Sequence, residues 1–232
     1  MLEVRRGLDR GYADHGWLKS YHSFSFDDYY DPVYEDFGAL RVINENRIRP
    51  GKGYDHQAHQ NVEILTYLIA GELSHRDSLG NTTVMRPGDV QRLSAGTGIT
   101  QSELNTSPSQ EVHLLQIWIK PSSEGLAPGY EQMHYAAAEK RGRLRLVASL
   151  AGEEGSMRIQ QDTRLYTGFF NATDRAELEV AKGRRAYVQV ASGSIAVNET
   201  RLNAGDGVKI TKPGRFALQS GRDADVLVFD LP

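Results

Sequence analysis

The residues best suited to chemistry in this chain form two short rows, Gln57-x-His59 and Gln101-x-Glu103. Side chains two apart on an extended strand share a face, so each row presents its two polar heads together, and Asn61 and Glu63 continue the first. If both rows face one interior, an imidazole, a carboxylate and two amides converge. That set offers donors to a metal ion, and it places Glu103 to take a proton from a bound hydroxyl. Gly51 and Gly53 precede the first row, and Gly96 and Gly98 the second; glycine permits the close backbone approach that a ligand site uses. The alternative is a hydrogen-bonded polar patch with no ligand. Two neighbours could add donors. Glu63 shares the strand parity of His59, whereas His56 has the opposite parity but sits in a glycine-flanked stretch where a bulge would turn it inward.

Rival chemistries find little support. The chain has no cysteine, hence no thiolate nucleophile and no cysteine-based zinc or iron–sulfur site. No Gly-x-Ser-x-Gly elbow, Walker loop or dinucleotide fingerprint occurs. Gly96-Thr97-Gly98 precedes a β-type segment and does not open a helix, which argues against a phosphate cradle. With 27 basic and 30 acidic residues the net charge is −3, and no basic footprint for nucleic acid is visible. No stretch approaches the roughly 20 apolar residues of a membrane span. The start, Met1-Leu2-Glu3-Val4-Arg5-Arg6-Gly7, lacks the apolar core of a secretory signal, so the expected compartment is the cytoplasm.

The elements that must position these rows are strands. Short apolar or alternating runs rich in Val, Ile, Leu and Tyr are punctuated by glycine, the pattern of an all-β sandwich or barrel. Candidate strands include 39–44, 62–69, 72–77, 81–85, 90–94, 112–119, 143–148, 157–161, 163–170, 186–190, 194–197, 207–210 and 226–229. Helical periodicity is almost absent; the segment 130–141, with Ala136-Ala137-Ala138, is the one candidate for a short helix. A weak internal repeat also appears. Ile69-Ala70-Gly71-Glu72-Leu73 followed by Arg86-Pro87-Gly88-Asp89-Val90 recurs as Ala191-Ser192-Gly193-Ser194-Ile195 followed by Asn203-Ala204-Gly205-Asp206-Gly207. Such a repeat implies two similar barrels in tandem. The boundary falls in or after Pro121 to Gly129, dividing the chain into 1–128 and 129–232. All seven histidines lie at or before His134, so metal chemistry belongs to the first unit.

At this point a resemblance becomes specific. Gly51-x5-Gln57-x-His59-x3-Glu63-x7-Gly71 resembles the first cupin motif, and Gly98-x2-Gln101-x3-Asn105 the end of the second, except that both motifs normally carry His where this chain has Gln57 and Gln101. The strings His22-Ser23-Phe24-Ser25-Phe26-Asp27-Asp28-Tyr29-Tyr30-Asp31-Pro32, Leu40-Arg41-Val42-Ile43-Asn44, Glu63-Ile64-Leu65-Thr66-Tyr67, His75-Arg76-Asp77-Ser78-Leu79-Gly80-Asn81 and Leu93-Ser94-Ala95-Gly96-Thr97-Gly98-Ile99 resemble the pirin family. The likeness runs from about residue 3 to Pro232.

The resemblance implies a bicupin: two tandem cupin-type β-barrels of jelly-roll type facing each other, with a metal in the N-terminal one only. Typical pirins hold that metal, usually iron, with three His and one Glu, and several bacterial members have been assigned quercetin (flavonol) 2,3-dioxygenase activity. Of those ligand positions His59 and Glu103 survive. Amide oxygens at Gln57 and Gln101 are weaker, harder donors than imidazole nitrogen, better matched to Mg, Ca or Mn. A divalent transition metal is therefore expected to bind loosely or to be absent. Generic cupins use a Glu at the position of Glu63 as a ligand. His22, His75 and His113 read as structural, and the aromatics Phe24, Phe26, Tyr29, Tyr30 and Phe37 as a segment packed on the barrel, one of which could roof the pocket. Two functions follow. The first is a metal-dependent oxidoreductase acting on a polyphenol, with Glu103 as ligand and base, His59 as ligand, and Gln57 and Gln101 as weak ligands or hydrogen-bond donors to substrate. The second is a non-enzymatic, metal-poor pirin that binds a small aromatic molecule or a protein partner.

Overall fold

A computed structural model describes residues 2–232. Strands dominate, as the glycine-punctuated runs imply, and they form three antiparallel sheets with one short parallel pairing. The first has seven strands, in spatial order Gly129–His134, Asp89–Ser94, Glu63–Ala70, Val112–Ile119, Leu40–Ile48, Leu18–His22 and Gly11–Asp14. A four-stranded sheet, Gly53–His59, Ile99–Leu104, Leu73–Asp77 and Thr82–Met85, completes the N-terminal cupin-type domain. Nine strands make the sheet of the C-terminal domain, among them the 13-residue Arg185–Val197 and the 18-residue Gly214–Leu231. The first of these absorbs two short candidate runs, 186–190 and 194–197, and the second extends one, 226–229, by many residues.

Strands central to the fold are buried on both faces, and so they read as unbroken apolar runs instead of alternating ones. Leu65, Tyr67, Ile117 and Ile119 point out of the N-terminal domain and meet Tyr187, Leu227, Phe229 and Leu231 of the C-terminal one in a single core. The same strands turn Ile64, Thr66, Leu114 and Gln116 to the opposite face. At the centre of the contact Tyr67 Oη donates to Asp225 at 2.7 Å and accepts from Lys140 Nζ at 3.1 Å and Thr167 Oγ1 at 3.2 Å. Burial raises the Asp225 carboxyl, opposed by the Lys140 charge and by hydrogen bonds from Tyr67 and Thr167.

The repeat corresponds to matched local structure. In Arg86-Pro87-Gly88-Asp89, Asp89 Oδ2 accepts the Arg86 N–H at 2.8 Å while Gly88 takes φ +98°. In Asn203-Ala204-Gly205-Asp206, Asp206 Oδ2 accepts the Asn203 N–H at 3.0 Å with Gly205 at φ +85°. Both turns need a residue that tolerates positive φ and an acceptor that ties the turn to its own start.

The two interiors differ. The C-terminal domain is filled by Phe170, Val188, Val190, Val208, Phe216, Leu218 and their apolar neighbours. In the N-terminal domain a smaller apolar cluster of Leu18, Ile48, Leu68, Leu73, Met85, Val112 and Leu114 leaves space for buried polar side chains: Asn44, Asn46, His75, Gln91, Gln101, Glu103 and Gln116.

Two edges depart from the reading by sequence. Residues 129–134 form a strand on Asp89–Ser94, with Gly129 opposite Ser94 and His134 opposite Asp89, and the α-helix is confined to Ala137–Lys140. Alternate side chains of that strand, Tyr130 and Gln132, hydrogen-bond into the N-terminal domain, which outweighs the helical leaning of the alanines. Reciprocally, Leu2–Arg5 pairs with Gly207–Ile210 of the C-terminal sheet. Leu2–Arg5 thus forms an edge of the C-terminal sheet, and Gly129–His134 an edge of the N-terminal one.

Candidate metal and substrate site

Strand register builds the site. Gln57 and Gln101 lie directly opposite each other on Gly53–His59 and Ile99–Leu104, and His59 is opposite Ile99. Directly paired side chains share a face, as do residues two apart, so Gln57, His59, Gln101 and Glu103 are gathered on one face. Across the two strands Gln101 Nε2 and His59 Nε2 are 3.3 Å apart. Gln101 and Glu103 are each 1% exposed, while Gln57 and His59 line a cavity of about 360 Å³ together with His22, Phe26, Asn44, Tyr54, Gln116 and Trp118. Aromatic edges wall this cavity. Trp118 stands T-shaped to His59 with centroids 5.4 Å apart, and Phe26 stands T-shaped to Trp118 at 5.5 Å. Phe26 is the member of the aromatic segment that lines this cavity.

Burial governs the electrostatics. It pushes the Glu103 carboxyl up to about 7, against the opposing hydrogen bond from Gln91. It also lowers His59, which favours the neutral imidazole that a metal requires. Glu103 Oε1 accepts from Gln91 Nε2 at 3.5 Å, and the same amide nitrogen is 3.3 Å from His75 Nδ1. His75 is fixed in turn by Asp77 Oδ2, 3.1 Å from its Nε2, and by stacking on Tyr130 at 4.6 Å. An Asp77, His75 and Gln91 chain therefore orients one Glu103 oxygen. Its other oxygen, Oε2, has no partner, and neither does Gln57 Oε1 or Gln101 Oε1.

The two auxiliary candidates are not brought to this cluster. A bulge does occur where expected: Gln57 opposes Gln101, but the next pair is Tyr54 with Glu103, so the Gly53–His59 strand carries one extra residue. His56 takes it up at φ +48° and turns outward, its side chain 82% exposed and paired with Asp55. Glu63 is buried, but its Oε2 accepts from Ser94 Oγ at 2.8 Å and from the Gln160 N–H at 3.3 Å; it ties the two domains together. Asn61 leaves the row as well, at φ +51° in a turn where its Oδ1 accepts the Gly125 N–H at 2.9 Å. His113 is engaged at 2.8 Å with Glu45.

Reasoning from sequence passed over Asn44, Gln91 and Gln116 as members of this interior. The signal was present for Gln116, a polar residue inside the apolar run Leu114 to Ile119, whereas Asn44 and Gln91 sit in strands of mixed polarity. Among the described residues no group of three or more His, Cys, Asp and Glu side chains is placed to hold a metal ion. The site has one imidazole and one carboxylate, and its remaining donors are amide oxygens. Those three unpartnered oxygens and the His59 nitrogen do fit a divalent cation, as a set of mainly hard donors. Among the described residues no helix is long and apolar enough to cross a membrane.

Known proteins share this architecture. Residues 3–119 match the family described as Pirin, and residues 146–231 match the quercetinase C-terminal cupin domain. Over 232 residues the chain is 39% identical to the quercetin 2,3-dioxygenase of Escherichia coli strain K12, covering 100% of this chain and 99% of that protein. It is 36% identical over 228 residues to a pirin-like protein of Caulobacter vibrioides, covering 97% and 98%. The bacterial pirin YhhW from Escherichia coli in complex with nickel(II) superposes with a TM-score of 0.95 at 40% identity, covering 100% of this chain and 99% of that one. Two stacked cupin-type domains, only one of which has a polar interior, make this molecule a bicupin. The chain belongs to the pirin family.

Proposed function

We propose that the N-terminal domain carries a quercetin 2,3-dioxygenase-type site whose hold on its metal is weakened by Gln57 and Gln101. The observation that carries this reading is that His59, Gln57, Gln101 and Glu103 share one face of paired strands, the first two at an aromatic-walled cavity, with three oxygens of the set unpartnered. His59 Nε2, Glu103 Oε2, Gln57 Oε1 and Gln101 Oε1 would hold the ion. A bound divalent metal would supply Lewis acidity to a polyphenol's oxygens and electron relay to O2. The protein's own part is binding and proton transfer. Trp118 and Phe26 offer edges to a flat aromatic ring, and His22 and Gln116 offer polar contacts. Glu103, the one carboxylate of the set, would take the phenolic proton. Glu103 is the catalytic residue in this reading. The nickel complex of the related YhhW supports a divalent ion here; iron is the family's usual choice. We assign the site to residues 1–128, with residues 129–232 as the second domain that lends an edge strand and a packing face.

A second reading draws on a different observation. Gln101 Nε2 lies within hydrogen-bond distance of His59 Nε2, the nitrogen that a metal would use. In this reading the protein is a metal-poor pirin that binds a small aromatic ligand, or a protein partner on its surface.

Metal analysis of protein purified without a histidine tag, followed by oxygen-electrode measurements with quercetin, separates the two. The dioxygenase reading expects O2 uptake by metal-loaded protein, faster for the Gln57→His/Gln101→His double variant and lost in Glu103→Gln. Quercetin binding with no O2 uptake by the loaded wild type or the double variant overturns it in favour of the second.

A further inference from the structure

Gln57 Oε1, Gln101 Oε1 and Glu103 Oε2 are buried acceptors with no donor. A buried polar atom left unpaired costs roughly 1–3 kcal/mol, and three in one cluster are an unusual concentration in a native interior. The nearby amide donors are already engaged. Gln91 Nε2 serves Glu103 Oε1 and His75 Nδ1, and Gln101 Nε2 serves His59. A single cation would satisfy all three oxygens at once.

We infer that Gln57 and Gln101 have changed the kind of ion this site takes, making it a site for a hard, oxygen-preferring divalent cation, with Mn2+ the best match. The inference rests on the reading above that these four side chains form one cation site. Amide and carboxylate oxygens suit Mg2+, Ca2+ and Mn2+, whereas imidazole favours Fe, Ni, Cu and Zn. The retained imidazole of His59 decides within the hard group, because Mg2+ and Ca2+ take oxygen ligands and Mn2+ lies in the series that accepts nitrogen as well. The geometry permits it. Turning the Gln101 amide by half a revolution puts Oε1 where Nε2 now lies, 3.3 Å from His59 Nε2. Two donors at right angles on one cation, each about 2.2 Å from it, are about 3.1 Å apart. A single side-chain rotation therefore converts the amide-to-imidazole hydrogen bond into a pair of adjacent ligands. Glu103 needs no such motion, since Gln91 holds one oxygen and leaves the other free.

Divalent affinities rise from Mn2+ to Ni2+ at nitrogen and oxygen sites alike, so the signature is a compressed order and not an inverted one. Chelator-stripped protein is dialysed against MnCl2 and NiCl2 separately, with bound metal counted by mass spectrometry and Mn2+ also followed by electron paramagnetic resonance. The expected result is one equivalent of bound Mn2+ and a preference for Ni2+ of less than about tenfold. Gln57→His/Gln101→His should raise that preference by about a hundredfold or more, mainly through gained Ni2+ affinity. Glu103→Gln should weaken Mn2+ binding at least about tenfold while circular dichroism shows the fold unchanged. Absence of saturable Mn2+ binding, or a wild-type Ni2+ preference that the double variant leaves unchanged, overturns the inference. These readouts contain neither polyphenol nor O2. A site with the compressed order that leaves quercetin unreacted would sink the dioxygenase and leave this inference standing.

Discussion

Replacing Glu103 by Gln should stabilise the metal-free protein at neutral pH, because the wild-type carboxylate sits where charge is poorly tolerated. Its carboxyl is 1% exposed and pushed from an ordinary 4.5 up to about 7 by burial, with Gln91 alone opposing. Below 4.5 the group is protonated folded and unfolded, so it has no effect on stability. Between about 4.5 and 7 the unfolded chain releases its proton while the folded chain keeps it, and stability falls as pH rises. Above 7 both forms are ionised and the full cost persists. At about 1.4 kcal/mol per pH unit the gap corresponds to about 3 kcal/mol. The glutamine retains an acceptor for Gln91 and places a donor where the unpartnered Oε2 now lies. Guanidinium unfolding in EDTA from pH 4.5 to 8 measures the difference between variant and wild type. Buried His22, His59 and His75, all lowered by desolvation, contribute to both proteins and largely cancel. The variant should match wild type at pH 4.5 and exceed it by about 3 kcal/mol at pH 8. A difference that is constant across this range, or a wild type more stable at pH 8, refutes the reasoning.

Glu45 should behave in the opposite sense: although burial raises its carboxyl, the hydrogen bond from His113 and the Arg10 charge outweigh it and hold it at about 2. Its stabilising contribution of about 3 kcal/mol is present above 4.5 and lost as pH falls toward 2, so urea unfolding of Glu45→Gln should show a deficit at pH 7 that shrinks to roughly less than half at pH 3. Phe229→Ala removes a fully buried ring from the core shared by both domains and should cost about 3–5 kcal/mol in denaturant unfolding. Gln91→Leu deletes the hydrogen bond that lowers Glu103, so the pH window separating this background from its Glu103→Gln derivative should move above that of wild type. Trp17→Phe leaves Trp118 as the sole indole; its fluorescence should respond to Mn2+ or polyphenol at the adjacent His59 and lose that response in His59→Ala.

Much of this arrangement is legible in the sequence. Parity along two strands is enough to bring Gln57, His59, Gln101 and Glu103 together, because a period of two leaves a side chain only two faces to choose from. The repeat is legible for a similar reason: Asp89 and Asp206 close their turns by hydrogen bonds spanning three residues, so all of the information is local. His56, Asn61 and Glu63 mark the limit. Each is placed by long-range or backbone events that parity cannot anticipate: a bulge at φ +48°, a turn at φ +51°, and an acceptor claimed by the Gln160 N–H from the other domain. The edge positions of Leu2–Arg5 and Gly129–His134 escape local reading too, since an edge strand's partner depends on how the two halves pack.

The two domains also explain each other. Each presents the same kind of sheet to the shared core, and both use the same turn chemistry, yet one interior is filled with valine, leucine and phenylalanine while the other keeps a carboxylate, an imidazole and amides. A filled interior is the cheaper solution, because apolar packing leaves no orphaned acceptor and no charge to desolvate. The N-terminal domain has not taken it, even though two of its four side chains on the shared face are amides. Loss of function alone would leave no force to keep Glu103 buried at a cost of about 3 kcal/mol, nor to maintain Asp77, His75 and Gln91 in a chain that fixes one of its oxygens. A changed ligand preference accounts for both the substitutions and the retained carboxylate, and it makes Glu103 the residue at which stability and binding should trade against each other.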